Sequence, residues 1–400
     1  MQEHPWQSRN ALLILMTIAM PIAFSSWSAL LNNFVVERAN FTGVEIGILQ
    51  SLRELPGFLA FTTAFVLLII REQTFAVIAL AMLGVGVALT GLFPSVVGLY
   101  LTTVLMSAGF HYFEVVKQSL ALQWYDKKDA PRALGKLISV GAITSLIVYA
   151  ALWVMLSPLG LDYVWIYLLT GGICFGLAIF MWTGFPQFEA EYEQTTKLVL
   201  KKRYWLYYGL QFFSGARRQI FMVFAAFLMV EKFGYSAAQV TALFLINYAF
   251  NWLFAERIGR VIHRIGERAA LSIEYTGLIF VFVAYGLVEN AHVAAALYVI
   301  DHMFFALYIA ISTYFHKIAD HEDLASSAGV SFTINHIAAV IIPAALGLVW
   351  IWSHSLVFFI GAALAACSLL LSQLIPRRPG PGAETNLGQG LLSTGRRRRA

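Results

Sequence analysis

The stretch VERANFTGVEI (36–46) returns 194 residues later as VEKFGYSAAQV (230–240). Val36, Glu37, Arg38, Phe41, Thr42, Glu45 and Ile46 meet Val230, Glu231, Lys232, Tyr235, Ser236, Gln239 and Val240, seven identical or similar pairs among eleven. Each copy stands between two long apolar runs, at the same place in its half of the chain. A repeat at fixed separation marks a repeated structural unit, so the chain divides into two halves of the same topology.

What each half contains follows from composition. The 400 residues are 59% hydrophobic and only 12% charged, which excludes an ordinary soluble domain and places the chain among integral membrane proteins. A spanning helix needs about 20 mostly apolar residues. Turn and charge signals cut twelve such segments, near 10–35, 43–70, 73–92, 94–123, 135–157, 161–184, 204–231, 236–257, 269–288, 292–316, 325–351 and 355–375. The fold class expected is therefore an all-α membrane protein, with twelve transmembrane helices in two pseudo-symmetric six-helix halves.

Lys and Arg gather in 124–136, 186–203, 257–268 and the C-terminal tail, whereas the opposite loops hold only Arg38 and Lys232. The positive-inside rule then places both termini in the cytoplasm of a plasma or inner membrane. The expected domains are an N-terminal half (1–185), a cytoplasmic inter-half loop (186–203), a C-terminal half (204–375) and a disordered basic tail (376–400), rich in Gly and Pro and ending in RRRR. The first span lacks a basic n-region and a cleavage site and reads as retained. Cys174 and Cys367 lie in apolar runs and imply neither a disulfide nor a thiolate metal site.

This architecture resembles the major facilitator superfamily over about residues 10 to 375. Twelve spans, cytoplasmic ends, a long central inner loop and parallel repeats about an axis along the membrane normal all fit it. GRVIHRIGER (259–268) lies on the family's inner-loop pattern GxxxDRxGRR, with Gly259, Arg264, Gly266 and Arg268 matching. His263 stands at the pattern's Asp and Glu267 at one Arg, and the first-half counterpart FVLLIIREQT (65–74) keeps only Arg71. The resemblance implies that this loop latches a cytoplasmic gate. It also implies that spans one, four, seven and ten line a central cavity.

The polar residues can be set against that expectation. Away from the span ends, only Arg53, Lys117, Arg217 and Arg218 are basic residues inside spans, and a charge at the bilayer centre costs about 3 kcal/mol on insertion scales, so each is a functional candidate. On span seven, Tyr208, Gln211, Ser214, Gly215 and Arg218 recur at helical steps and share a face. Arg217 is turned about 100° away, toward a neighbouring helix or the cavity edge. Span ten carries Tyr298, Asp301, His302, Phe305 and Tyr308, and span four carries His111, Glu114, Lys117 and Gln118. Span one offers Ser25, Ser28 and Asn32, span two Arg53 and Glu54 beside Pro56, and span eleven Thr333 and His336.

A buried guanidinium suits bidentate carboxylate or phosphate recognition. The reading is a secondary active transporter of a small anionic or carboxylate-bearing solute, working by alternating access. Arg218, Gln211, Ser214, Tyr208, Tyr298, Tyr308, Ser28, Asn32 and Arg53 are the substrate-binding candidates. Glu114, Asp301, His111, His302 and Glu54 can change charge and are the proton-coupling candidates, protons and the lipid bilayer being the other partners. Arg53 and Glu54 also read as a structural pair, and Lys117 as a side chain reaching the interface. A monomer is expected, without nucleic acid, cofactor or resident metal. The alternative cargo is a transition-metal ion or chelate, for which His111 with Glu114, Asp301 with His302, His336, and Met16 with Met20 offer ligand pairs. A non-transporting membrane enzyme or sensor is the alternative of another class, although no HExxH or nucleotide-binding glycine loop is present.

Overall fold

The computed structural model describes residues 7–125, 130–188, 200–320 and 323–387. Apart from one isolated bridge between Gly380 and Ala383, these residues form helices and their connections.

The duplicated stretch has a physical explanation. Helix α1 (Arg9–Ala39) ends where Asn40 takes the left-handed conformation, φ 51°. Thr42 then caps α2 (Gly43–Phe58): its hydroxyl accepts from Val44 N, while Glu45 Oε2 accepts from Thr42 N at 2.9 Å. In the second copy Gly234 has φ +65°, Ser236 Oγ accepts from Gln239 N at 3.3 Å, and Gln239 Oε1 accepts from Ser236 N at 2.9 Å. Each copy is thus a helix stop followed by a reciprocal capping box, which satisfies amide donors that a new helix otherwise leaves unpaired.

Eleven helical segments among the described residues are long and apolar enough to cross a membrane. The expected second span, 43–70, is the one that differs. Pro56 lacks the amide that would bond back along α2. The α-helix stops at Phe58, a 3-10 turn covers Leu59–Thr62, and α3 (Thr63–Val66) is a single turn.

The chain folds into two compact units, one of Met1–Thr195 with Val230–Tyr248, the other of Thr196–Met229 with Ala249–Ala400. In the first, α4 (Glu72–Thr90), α5 (Val96–Trp124) and α7 (Tyr163–Gly184) pack backbone to backbone, and α6 (Ala130–Leu156) lies against α1. A Cβ added at Gly109 would meet Leu83 N at 2.4 Å, and one at Gly171 would meet Ala88 N at 2.4 Å. Small residues let apolar helices approach this closely in lipid, where dispersion and close packing replace the hydrophobic drive.

The second unit contains α8 (Trp205–Gln219), a π-helical turn (Ile220–Ala225) and the start of α9 (Ala226–Glu231). The later part of α10 (Ala237–Ile265) follows, then α11 (Glu267–Leu287), α12 (Ala291–Phe305), a 3-10 turn (Ala306–Tyr308) and α13 (Ile309–Ile318). Helices α14 (Asp323–Trp352) and α15 (His354–Ser372) complete it. Tyr204, Leu210, Tyr275, Tyr314 and Ile375 belong to its buried core cluster.

The start of the tail departs from the expected disorder. Tyr314 Oη donates to Glu384 O at 2.5 Å, Asn386 N to Leu374 O at 2.9 Å, and Asn386 Nδ2 to Gln373 O at 3.2 Å. Asn386 satisfies carbonyls left open where α15 ends, which composition alone does not reveal. Residues 388–400, including RRRR, lie outside the described residues, as do 189–199 of the expected inter-half loop.

Candidate functional site

Both helices expected to line the C-terminal part of a cavity lose their regular α form at the same kind of place. In span seven the π-helical turn begins two residues after Arg218. In span ten α12 gives way to the 3-10 turn directly after Phe305. Such interruptions recur at functional sites because they free or redirect backbone groups. A cavity of about 50 Å³ opens beside them, lined by Arg217, Arg218, Phe221, Met222, Leu278, Phe282, Asp301, His302 and Phe305. One water needs about 10–15 Å³ on this scale, so the space suits a few waters or a small polar group in this conformation.

The two arginines differ in partners, as their angular separation requires. Arg218 is half-buried, and its Nη2 donates to Asn335 Oδ1 on α14 at 2.8 Å. A Cβ at Gly215 would lie 3.0 Å from Asn335, so the glycine one turn before Arg218 lets α8 and α14 approach. Arg217 is 2% exposed. Its guanidinium lies 4.4 Å from the centre of the Tyr275 ring, with Nη2 3.6 Å from Glu274 Oε1. That separation is an ion pair without a hydrogen bond.

Around the cavity Asp301 is buried and its Oδ1 has no hydrogen-bond partner among the described residues. Phe221 stacks on Tyr298, ring centroids 4.8 Å apart, and Tyr298 on His302 at 5.9 Å. Phe305 stacks on Tyr308, whose hydroxyl donates to Gln211 Oε1 at 2.9 Å. Arg218, Asp301 and His302 are therefore brought to one space, with Tyr298 and Tyr308 behind its aromatic wall. Tyr208 belongs to the core cluster with Tyr204 and Tyr207, and Ser214 is buried; neither borders this cavity.

The first unit carries its own buried polar cluster. Arg53 pairs with Glu54, the carbonyl of Arg53 accepts the Ser107 hydroxyl, and His111 Nδ1 lies 3.0 Å from both Ser107 oxygens. Phe24 stacks on Phe110 beside that histidine. Lys117, expected to reach the interface, pairs with Glu114 at 2.5 Å. Asn32 is buried, with Oδ1 unpaired among the described residues, and Ser28 is half-buried.

Two residues of the cavity region escaped the sequence reading. Glu274 sits in SIEYTG within span nine, a span not expected to line the cavity, although an acidic residue inside a span was itself a signal. Asn335, in the neutral stretch TINHIA, carried none.

A family model described as Major Facilitator Superfamily matches residues 12–343. The chain belongs to that superfamily. A search among curated proteins returns no match. By fold, this superfamily member is similar to the crystal structure of the nucleoside transporter NupG, with TM-score 0.74 and 14% identity over 92% of this chain and 98% of that one. It is also similar to a bacterial homolog of the human lysosomal transporter Spinster in inward-facing and occupied conformation (0.70, 13%, 93% and 97%). A third is a POT family transporter in complex with 5-aminolevulinic acid (0.70, 13%, 92% and 95%).

The superfamily's inner-loop pattern takes a definite form here. Gly266 opens α11 at φ 83°, ψ 159°, a region open to glycine and strained for other residues. Arg268 Nη2 donates to Gln373 Oε1 at 3.1 Å, and Gln373 Nε2 to Ser272 Oγ at 2.8 Å. Arg264 is exposed, and the space beside Gly259 is open, so packing among the described residues does not require that glycine. Glu267, the departure from the pattern, is buried and paired with Lys317 at 2.6 Å.

Proposed function

We propose that this superfamily member is a proton-coupled secondary transporter of a small anionic or carboxylate-bearing solute in the plasma or inner membrane, with both termini cytoplasmic. The observation that carries the reading is Arg218 on the cavity wall beside Asp301 and His302. A guanidinium has five N–H donors in a planar fork, and Asn335 takes one of them, so donors remain for an oxyanion. The aromatic side of the space, with Phe221 and Phe305, suits a solute with a planar or apolar part. Asp301 near the arginines and Glu114 beside Lys117 are the groups assigned to proton coupling.

The experiment is flux into proteoliposomes, with solutes first selected by thermal stabilisation, since a ligand that binds the folded state raises apparent stability. A carboxylate or phosphate solute is expected to stabilise the protein and to accumulate when the interior is made alkaline. Asp301→Asn and Glu114→Gln should weaken gradient-driven accumulation while leaving counterflow exchange partly intact. Accumulation that ignores the pH gradient, or is equal in both variants and wild type, refutes proton coupling through these residues. Stabilisation by cations alone refutes the anionic cargo.

A further inference from the structure

Glu274 lies seven residues into α11, about 10 Å along the helix at 1.5 Å per residue. Its side chain is 0% exposed, against 2% for the Arg217 side chain facing it. Neither carboxylate oxygen of Glu274 and none of the three guanidinium nitrogens of Arg217 has a hydrogen-bond partner among the described residues. A buried ion pair is maintained only when close geometry and further hydrogen bonds offset the loss of water. This pair has neither, since its nearest approach is 3.6 Å.

The ionic contacts around it are incomplete. Arg217 serves two acidic groups, Glu274 at 3.6 Å and Asp301, which lines the same cavity as Arg217 and lies within electrostatic reach of both. One guanidinium neutralises one carboxylate. Arg218, the other cation of the cavity, keeps its charge, since its partner Asn335 is neutral, but it forms no ion pair with Glu274 or Asp301 among the described residues. Among the described residues, the remaining groups near Glu274 bring no further cation at this depth. Tyr275 follows it on α11, His302 stands on α12, and Tyr308 on the 3-10 turn. On α13, His316 and Lys317 lie in the last turn, where Lys317 is committed to Glu267. On α15 the titratable groups are His354 at the N-terminus and the exposed Cys367.

We propose that Glu274 is a proton-binding site of this transporter, reached from the cavity by way of Asp301 and water, with Arg217 as the cation that holds Glu274 once the proton has left. The proton comes from hydronium in the cavity: a carboxylate oxygen lone pair forms the new O–H bond and water is released. The neutral acid then has an O–H donor of its own and no longer requires Arg217, which frees the guanidinium to turn toward the cavity it already borders. On deprotonation the ionic contact returns. The site takes its role in transport from the proposal of proton coupling above, but its existence is tested without any solute.

The test is infrared difference spectroscopy of the full-length protein in lipid, stepped from acidic to alkaline pH. Wild type should show the carbonyl band of a buried protonated carboxylic acid that disappears on alkalinisation. Glu274→Gln should lose that band and Asp301→Asn should keep it with altered pH dependence. Glu274→Asp, which preserves the acid and is the safer variant for folding, should displace the band. A band unchanged in Glu274→Gln or in Glu274→Asp overturns the proposal, and so does a wild-type spectrum without one. Solute flux that ignores a pH gradient while the Glu274 band titrates would instead refute the coupling and leave the proton site standing.

Discussion

Arg217 and Arg218 are neighbours in sequence and separate in chemistry, because one residue of helix turns the second about 100° from the first. Arg218→Lys keeps the charge but loses the planar fork, so solute affinity should fall by tenfold or more, on the order of 1.4 kcal/mol, with thermal stability little changed. Arg217→Gln should instead cost about 3–5 kcal/mol at alkaline pH, where it leaves the buried, ionised Glu274 without its counter-ion, and less at acidic pH, where Glu274 is neutral. A joint measurement of affinity and melting temperature decides the division, and a larger affinity loss in Arg217→Lys than in Arg218→Lys reverses it. At this scale the sequence was legible where charge met apolar context. Arg218, Asp301 and His302 stood out and are brought together. Glu274 does not stand out because the resemblance does not put span nine on the cavity, and Tyr208 shares a helical face with Arg218 yet packs in the core, since a stripe of aromatic residues serves either purpose.

At the scale of helices, the duplicated turn was the readable part, because a helix stop and a capping box each need particular residues at fixed spacing. The irregular segments were less so. Pro56 announced a disturbance in span two without saying that the helix would end two residues later, and nothing in IFMVFA (220–225) distinguishes a π-helical turn from an α-helical one. The tight packing of α4, α5 and α7 gives a clean comparison. Gly109→Ala adds a methyl group against the backbone of Leu83 and should destabilise by about 1–3 kcal/mol, the range for overpacking. Gly176→Ala, on α7 with open space around it, should be neutral or stabilising by up to about 1 kcal/mol, because alanine favours a helix over glycine. Melting temperatures of the two variants check the order, and equal values would mean that the close approach is relaxed in the protein.

For the whole molecule, hydropathy made the membrane class plain from the sequence, since that signal is summed over hundreds of residues, and the duplicated stretch with GRVIHRIGER (259–268) pointed to the superfamily. The proposed orientation, with both termini cytoplasmic, leads to a specific outcome. With Cys367 replaced by Ser, a cysteine at Thr385 should stay unlabelled by an impermeant thiol reagent outside intact cells, whereas one at Lys232 should react. Labelling at Thr385 would overturn the inferred topology. The start of the C-terminal tail has a practical bearing of its own. Asn386 and Glu384 are stitched to the end of α15 and to Tyr314, and Gln373, one of those anchor points, also receives Arg268. A purification tag or fluorescent reporter joined at Ile375 would therefore cut this binding away and disturb the packing next to the Gly266 turn. The same cargo attached after Leu387 leaves every one of these bonds in place, so the usable splice point of the chain lies twelve residues beyond where its apolar sequence ends.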